Sequence, residues 1–112
     1  MRDSDRDPLR INHMIEAAHN IQEFLNNKTF EDLQQNKILY FAVVKNIEIL
    51  GEAAFMLTKE FKALHSEIPW KLIEGMRHVL VHDYYRVSPL EVYNVYKKDL
   101  PILLPQLESL LP

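Results

Sequence analysis

Between Arg77 and Arg86 the chain reads RHVLVHDYYR, two arginines, two histidines, an aspartate and two tyrosines around an apolar Val79-Leu80-Val81. These are groups that handle protons and anions. Histidine changes charge near neutral pH and can give or take a proton, and arginine holds phosphate oxygens through paired hydrogen bonds. Arg77 and His82 stand five positions apart, about 140° of rotation on an α-helix, so they flank a groove edge or meet groups from elsewhere in the fold. His78 and His82 are four apart and share a face. That spacing also suits a metal ion, but no glutamate follows the first histidine as in zinc peptidases, and Asp83 or a distant residue would have to serve as third ligand. No metal and no cofactor is expected.

A plain structural role competes with chemistry at each of these positions. Arg77 can pair with Glu74 or Asp83, His82 can cap its helix, and Tyr84 and Tyr85 can pack their rings with hydroxyls in water. Glu52, in the segment IEILGEAA, interrupts an otherwise apolar run, and an ion pair with Arg77 across the bundle would account for it. His13, His19 and His65 have no comparable neighbours in sequence and read as ordinary surface or core histidines.

The elements that carry these residues are helical. Asp7-Pro8 reads as a cap followed by proline at the first helical position. From there Ile11, Met14, Ile15, Ala18, Ile21 and Leu25 recur at helical spacing until the NNKT segment ends the run. Thr29, with Glu31 and Asp32 behind it, opens a second stretch that breaks or bends near Gln34–Asn36 and then runs to about Leu64. The apolar residues of that long run form no single stripe, which predicts a central helix touching more than one neighbour. Ser66–Pro69 and Ser88-Pro89 are further start signals, and Pro101 is expected to kink or break the last helix. Gly75, inside the helix of the Arg77 segment, predicts a close backbone approach. With only two glycines and no clear period-two alternation, strands are not expected.

Composition narrows the function. The 112 residues suit one domain, read as a flexible arm over residues 1–7 and a helical domain over residues 8–112. A net charge of −3 argues against wrapping nucleic acid as a whole, so a polyanion would be met locally. The segment from Lys71 to Arg86 supplies such a place, with Lys71, Arg77 and Arg86 against Glu74 and Asp83. There is no cysteine, the longest apolar run is Ile38 to Val44, and the charged start MRDSDRD does not read as a leader peptide. The expectation is a cytoplasmic protein with no membrane partner.

The pattern Arg77, four residues, His82, one residue, Tyr84 resembles the R-x-x-x-x-H-x-Y signature of HEPN-domain proteins, in the HepT-like branch that pairs with minimal nucleotidyltransferases. The resemblance extends through NIEILGEAA, IPWKLIEGMRHVLVHDYYRV and DLPILLPQLESLL, most of the chain from about Ile11 onward. It implies an all-α antiparallel bundle of four to five helices forming a two-fold dimer. It also implies a ribonuclease that cuts RNA without metal, with Arg77 and His82 as the catalytic pair at the dimer cleft. His78 stands where the family commonly has a polar residue, often asparagine, and with Glu52 is a supporting residue. Tyr84 corresponds to the tyrosine that receives AMP from the nucleotidyltransferase antitoxin, making the protein the toxin of a type VII toxin–antitoxin pair. The alternative is a helical adaptor that holds a nucleotide or docks the nucleotidyltransferase without cutting RNA. For the dimer, Phe41, Val44, Ile47, Phe55 and Met56 are the expected contact surface.

Overall fold

The computed structural model describes residues 3–111. A 3-10 turn at Asp3–Arg6 leads into α1, Asp7–Leu25. The predicted stripe is its inner face, with Ile11, Met14, Ala17, Ala18, Ile21 and Leu25 buried. Full burial of side chains such as Ile11 and Leu25 removes apolar surface from water at roughly 1.5–3 kcal/mol each, which is the main force docking the helix. Its end lies in the expected NNKT segment, where Asn27 takes a left-handed conformation (φ 60°) that lets the chain turn back.

Side-chain caps then set the next three starts. The α2 helix, Phe30–Gln35, opens with a reciprocal box in which the Asp32 amide donates to the Thr29 hydroxyl oxygen and the Thr29 amide donates to the Asp32 carboxylate. That backbone hydrogen bond holds the Asp32 carboxyl below its usual range. Asn36 breaks the helix as expected and caps α3, Lys37–Met56, by accepting from the Leu39 amide. The run does not continue to Leu64. Thr58 ends it and caps a separate α4, Lys59–Leu64, because its amide and hydroxyl both donate to the carboxylate of Asp7. Asp7, expected to cap its own helix at the end of a mobile arm, is thus a buried acceptor that ties the start of α1 to the end of α3. Of the expected arm, residues 1 and 2 lie outside the described residues.

The α5 helix, Trp70–Asp83, ends in a 3-10 turn at Tyr84–Arg86, and Ser88 caps α6, Pro89–Asn94. A π turn, Val95–Asp99, joins α6 to α7, Leu100–Glu108. Pro101 therefore does not break the helix. The extra residue lets the Leu100 amide reach back five positions to the Val95 carbonyl, just ahead of the proline that cannot donate.

Helix α3 is central, packed on α1 and on α5. The polar contacts show that α1 runs antiparallel to it. Asp7 meets Thr58 while Asn20, later in α1, donates to Asn46, earlier in α3. Asn46 is one of the few buried polar residues, and its own amide donates to the Ala42 carbonyl, so the group is satisfied. The fold is an all-α antiparallel bundle, with no strand among the described residues. The break at Thr58 and the π turn before α7 bring the described residues to seven α-helices, against the four to five expected. Among the described residues no helix is long and apolar enough to cross a membrane.

The close approach predicted at Gly75 occurs at Gly51 instead. A Cβ on Gly51 would overlap the Cβ of Arg77 and lie 3.1 Å from the Ile73 carbonyl oxygen, whereas one on Gly75 would meet nothing within 4 Å. Gly51→Ala should therefore push α5 off α3 and destabilise by about 1–3 kcal/mol, the usual range for overpacking. Gly75→Ala should stabilise by up to ~1 kcal/mol through helix propensity. Denaturant unfolding of the two variants checks this, and shifts in the same direction would contradict the packing described.

Candidate active site

Arg77 reaches the site from the face of α5 that lies on Gly51. One residue further along α3, Glu52 meets it, with Arg77 Nη2 2.7 Å from Glu52 Oε2. The guanidinium also stands over the Phe55 ring at 5.7 Å, within cation–π range. The competing partners are engaged elsewhere: Glu74 with Lys62 at 3.2 Å, and Asp83 with Arg86 at 3.9 Å and with the Tyr85 hydroxyl, which donates to it. Glu52 and Phe55 fix the orientation of a cation that keeps further N–H donors for a ligand.

That cation lines an open groove of about 350 Å³ between α1, α3 and the second half of α5. Its walls carry Arg10 and His13 from α1, Lys45, Glu48 and Glu52 from α3, and Arg77 and Val81 from α5. Sequence reasoning missed Arg10, His13 and Lys45. Arg10 and His13 are three apart on one face of α1, while Lys45, Ile49, Glu52 and Met56 follow one face of α3. Only the antiparallel packing of the two helices brings these faces together.

His82 does not share the groove. It lies on the neighbouring face of α5 with His78, both exposed, their ring centroids 4.7 Å apart and the planes tilted by 51°. The helical rotation between Arg77 and His82 thus separates them within one chain. Beyond them, Tyr84 is 53% exposed, and no hydrogen bond to its hydroxyl is found among the described residues. The phenol of Tyr40, on α3, is pushed up by burial and further by Tyr84 and Glu91. Among the described residues no group of three or more histidine or acidic side chains is placed to hold a metal ion.

The family model described as ribonuclease HepT-like covers residues 14–110. The chain belongs to the HepT-like family. A Thermococcus cleftensis protein named "Probable ribonuclease HepT" is 37% identical over 110 residues, covering 98% of each chain. A Caldanaerobacter subterraneus protein named as a candidate RNase is 35% identical over 101 residues, or 90% of each chain. A Methanocaldococcus jannaschii protein named for a gamma-glutamylcyclotransferase joined to a candidate RNase is 39% identical over 93 residues, 83% of this chain and 42% of that one. No solved structure gives a significant match.

The exposure of the Arg77–Glu52 pair, with side chains 26% and 48% accessible, says that it orients rather than stabilises. A double-mutant cycle with Arg77→Gln and Glu52→Gln should give a coupling below ~1 kcal/mol that shrinks as salt is raised. A coupling of several kcal/mol, insensitive to salt, would make the pair a structural element instead.

Proposed function

We propose that the chain is an endoribonuclease that cuts single-stranded RNA without a metal ion. The observation that carries this is Arg77, clamped by Glu52 on the rim of a groove and followed at the family spacing by His82. RNA carries its own nucleophile. A histidine takes the 2′-hydroxyl proton as the 2′-oxygen bonds to phosphorus, the P–O5′ bond breaks, and a second acid protonates the leaving oxygen. The products are a 2′,3′-cyclic phosphate and a 5′-hydroxyl. Arg77 neutralises the charge that builds on the non-bridging oxygens.

One chain holds Arg77 and His82 on different faces, so a complete site needs a second copy across a two-fold axis. The exposed apolar residues of α3, Phe41 at 53%, Phe55 at 56% and Met56 at 46%, suit such a contact. Val44 and Ile47, expected on that surface, are instead buried within their own chain as part of its apolar core. Cleavage in EDTA should fall by ~10²–10³ or more in Arg77→Ala and His82→Ala with helical circular dichroism unchanged. Mixing the two inactive variants should restore part of the activity if the site is shared. Full cleavage by both variants would refute the assignment.

Control is assigned to Tyr84, in a toxin–antitoxin pairing with a minimal nucleotidyltransferase. Its hydroxyl is exposed and free to attack the α-phosphorus of ATP, releasing pyrophosphate and leaving AMP on the phenol. The added phosphodiester and adenosine would repel and block RNA near His82. With the partner, ATP and Mg²⁺, Tyr84→Phe should stay active while Tyr85→Phe is silenced. Mass spectrometry placing AMP on Tyr85 would contradict this.

A further inference from the structure

We infer that Arg10 and Lys45 form two further phosphate positions in the Arg77 groove, one on each side of Arg77, holding RNA phosphates that flank the one that is cut. The inference rests on the reading of RNA as substrate. The groove gathers three formal positive charges, Arg10, Lys45 and Arg77, against Glu48 and Glu52, in a chain whose net charge is −3. Glu52 is engaged with Arg77. Among the described residues neither Arg10 nor Lys45 has an ion-pair partner, so these two cations face the groove uncompensated by a close carboxylate.

Their placement separates them from the first phosphate. Lys45 precedes Glu52 by seven residues, about 10 Å along the α3 axis, while Arg77 is drawn to the Glu52 end by its ion pair and by Phe55. Arg10 and His13 approach from the opposite wall on α1, where the Asp7–Thr58 and Asn20–Asn46 contacts set Arg10 level with about Phe55–Met56 and His13 level with about Glu52. A phosphate held by Lys45 therefore lies on one side of Arg77 along the groove, and one held by Arg10 on the other. His13 offers an imidazole N–H to the same backbone. The pattern of long, unpaired cations along a groove recognises the RNA backbone and carries no base preference. Glu48 shares this wall and opposes the anion.

The test measures binding without cleavage, in His82→Ala protein, to a short fluorescent single-stranded RNA of mixed sequence in EDTA across a series of salt concentrations. Each phosphate contact contributes about 0.7 to the slope of log affinity against log salt for single strands. Adding Arg10→Ala and Lys45→Ala together should weaken binding at least tenfold and lower that slope by about 1.4. Arg10→Lys with Lys45→Arg should restore the slope, and Glu48→Gln should tighten binding. Parent-like affinity and slope in the double alanine variant would overturn the inference while leaving cleavage by the parent, and hence the nuclease, intact. A protein that binds RNA with these losses but never cuts it would keep the two phosphate positions and remove the nuclease. No RNA binding by the parent would remove both.

Discussion

The contact between Gly51 and Arg77 decides where everything else in the site can be. Two helices meet this closely only where one of them lacks a side chain, and here the missing Cβ lets the base of Arg77 sit against the α3 backbone. Because Arg77 starts from so near the α3 surface, its guanidinium meets the very next residue, Glu52, and the ring of Phe55 one turn on. A long and flexible cation is thereby reduced to a narrow range of directions. The interaction is weak as a source of stability and strong as a source of orientation, since the ion pair is half in water but the helix contact beneath it is not.

The rest of the fold keeps that contact in register. The apolar stripe of α1 would tolerate sliding by a turn, but hydrogen bonds at two points along the α1–α3 seam would not. Asp7 accepts from both donors of Thr58 at one end, and Asn20 donates to the buried Asn46 further along. A shifted register would leave these polar groups without partners in a partly dry seam, at roughly 1–3 kcal/mol for each unsatisfied group. The same register sets Arg10 and His13 against the Glu52–Met56 turn of α3, with Lys45 about two turns further along the groove.

Local signals in the sequence were largely legible, and long-range ones were not. The α1 stripe, the Thr29 box, the Asn36 break and the Ser88 start all depend on residues a few positions apart, and all are present. Thr58 as a break was missed because its partner Asp7 is 51 residues away. The close approach was placed at Gly75 and Gly51 was passed over for the same reason, since only the path of α5 over α3 shows which one is crossed. Arg77, Glu52, His82 and Tyr84 were visible through their spacing and family resemblance. His13 was dismissed for want of neighbours in sequence, although three-dimensional packing gives it Arg10, Lys45 and Arg77 along one groove.

The π turn at Val95–Asp99 fixes the helical phase of the C-terminal third. Val92 and Val95 are buried before it and Leu100, Leu103, Leu104 and Leu107 after it, five residues separating the inward Val95 from the inward Leu100. An uninterrupted α-helix would have turned Lys98 or Asp99 toward the core at that point, because an α-helix repeats after three or four residues. One surplus residue thus adds about 100° of rotation and brings two apolar stripes, out of step in the sequence, onto one face. Length in this segment is therefore under tighter restraint than residue identity. Removing one residue would heal the hydrogen bonding yet swing the whole leucine face of α7 away from the core.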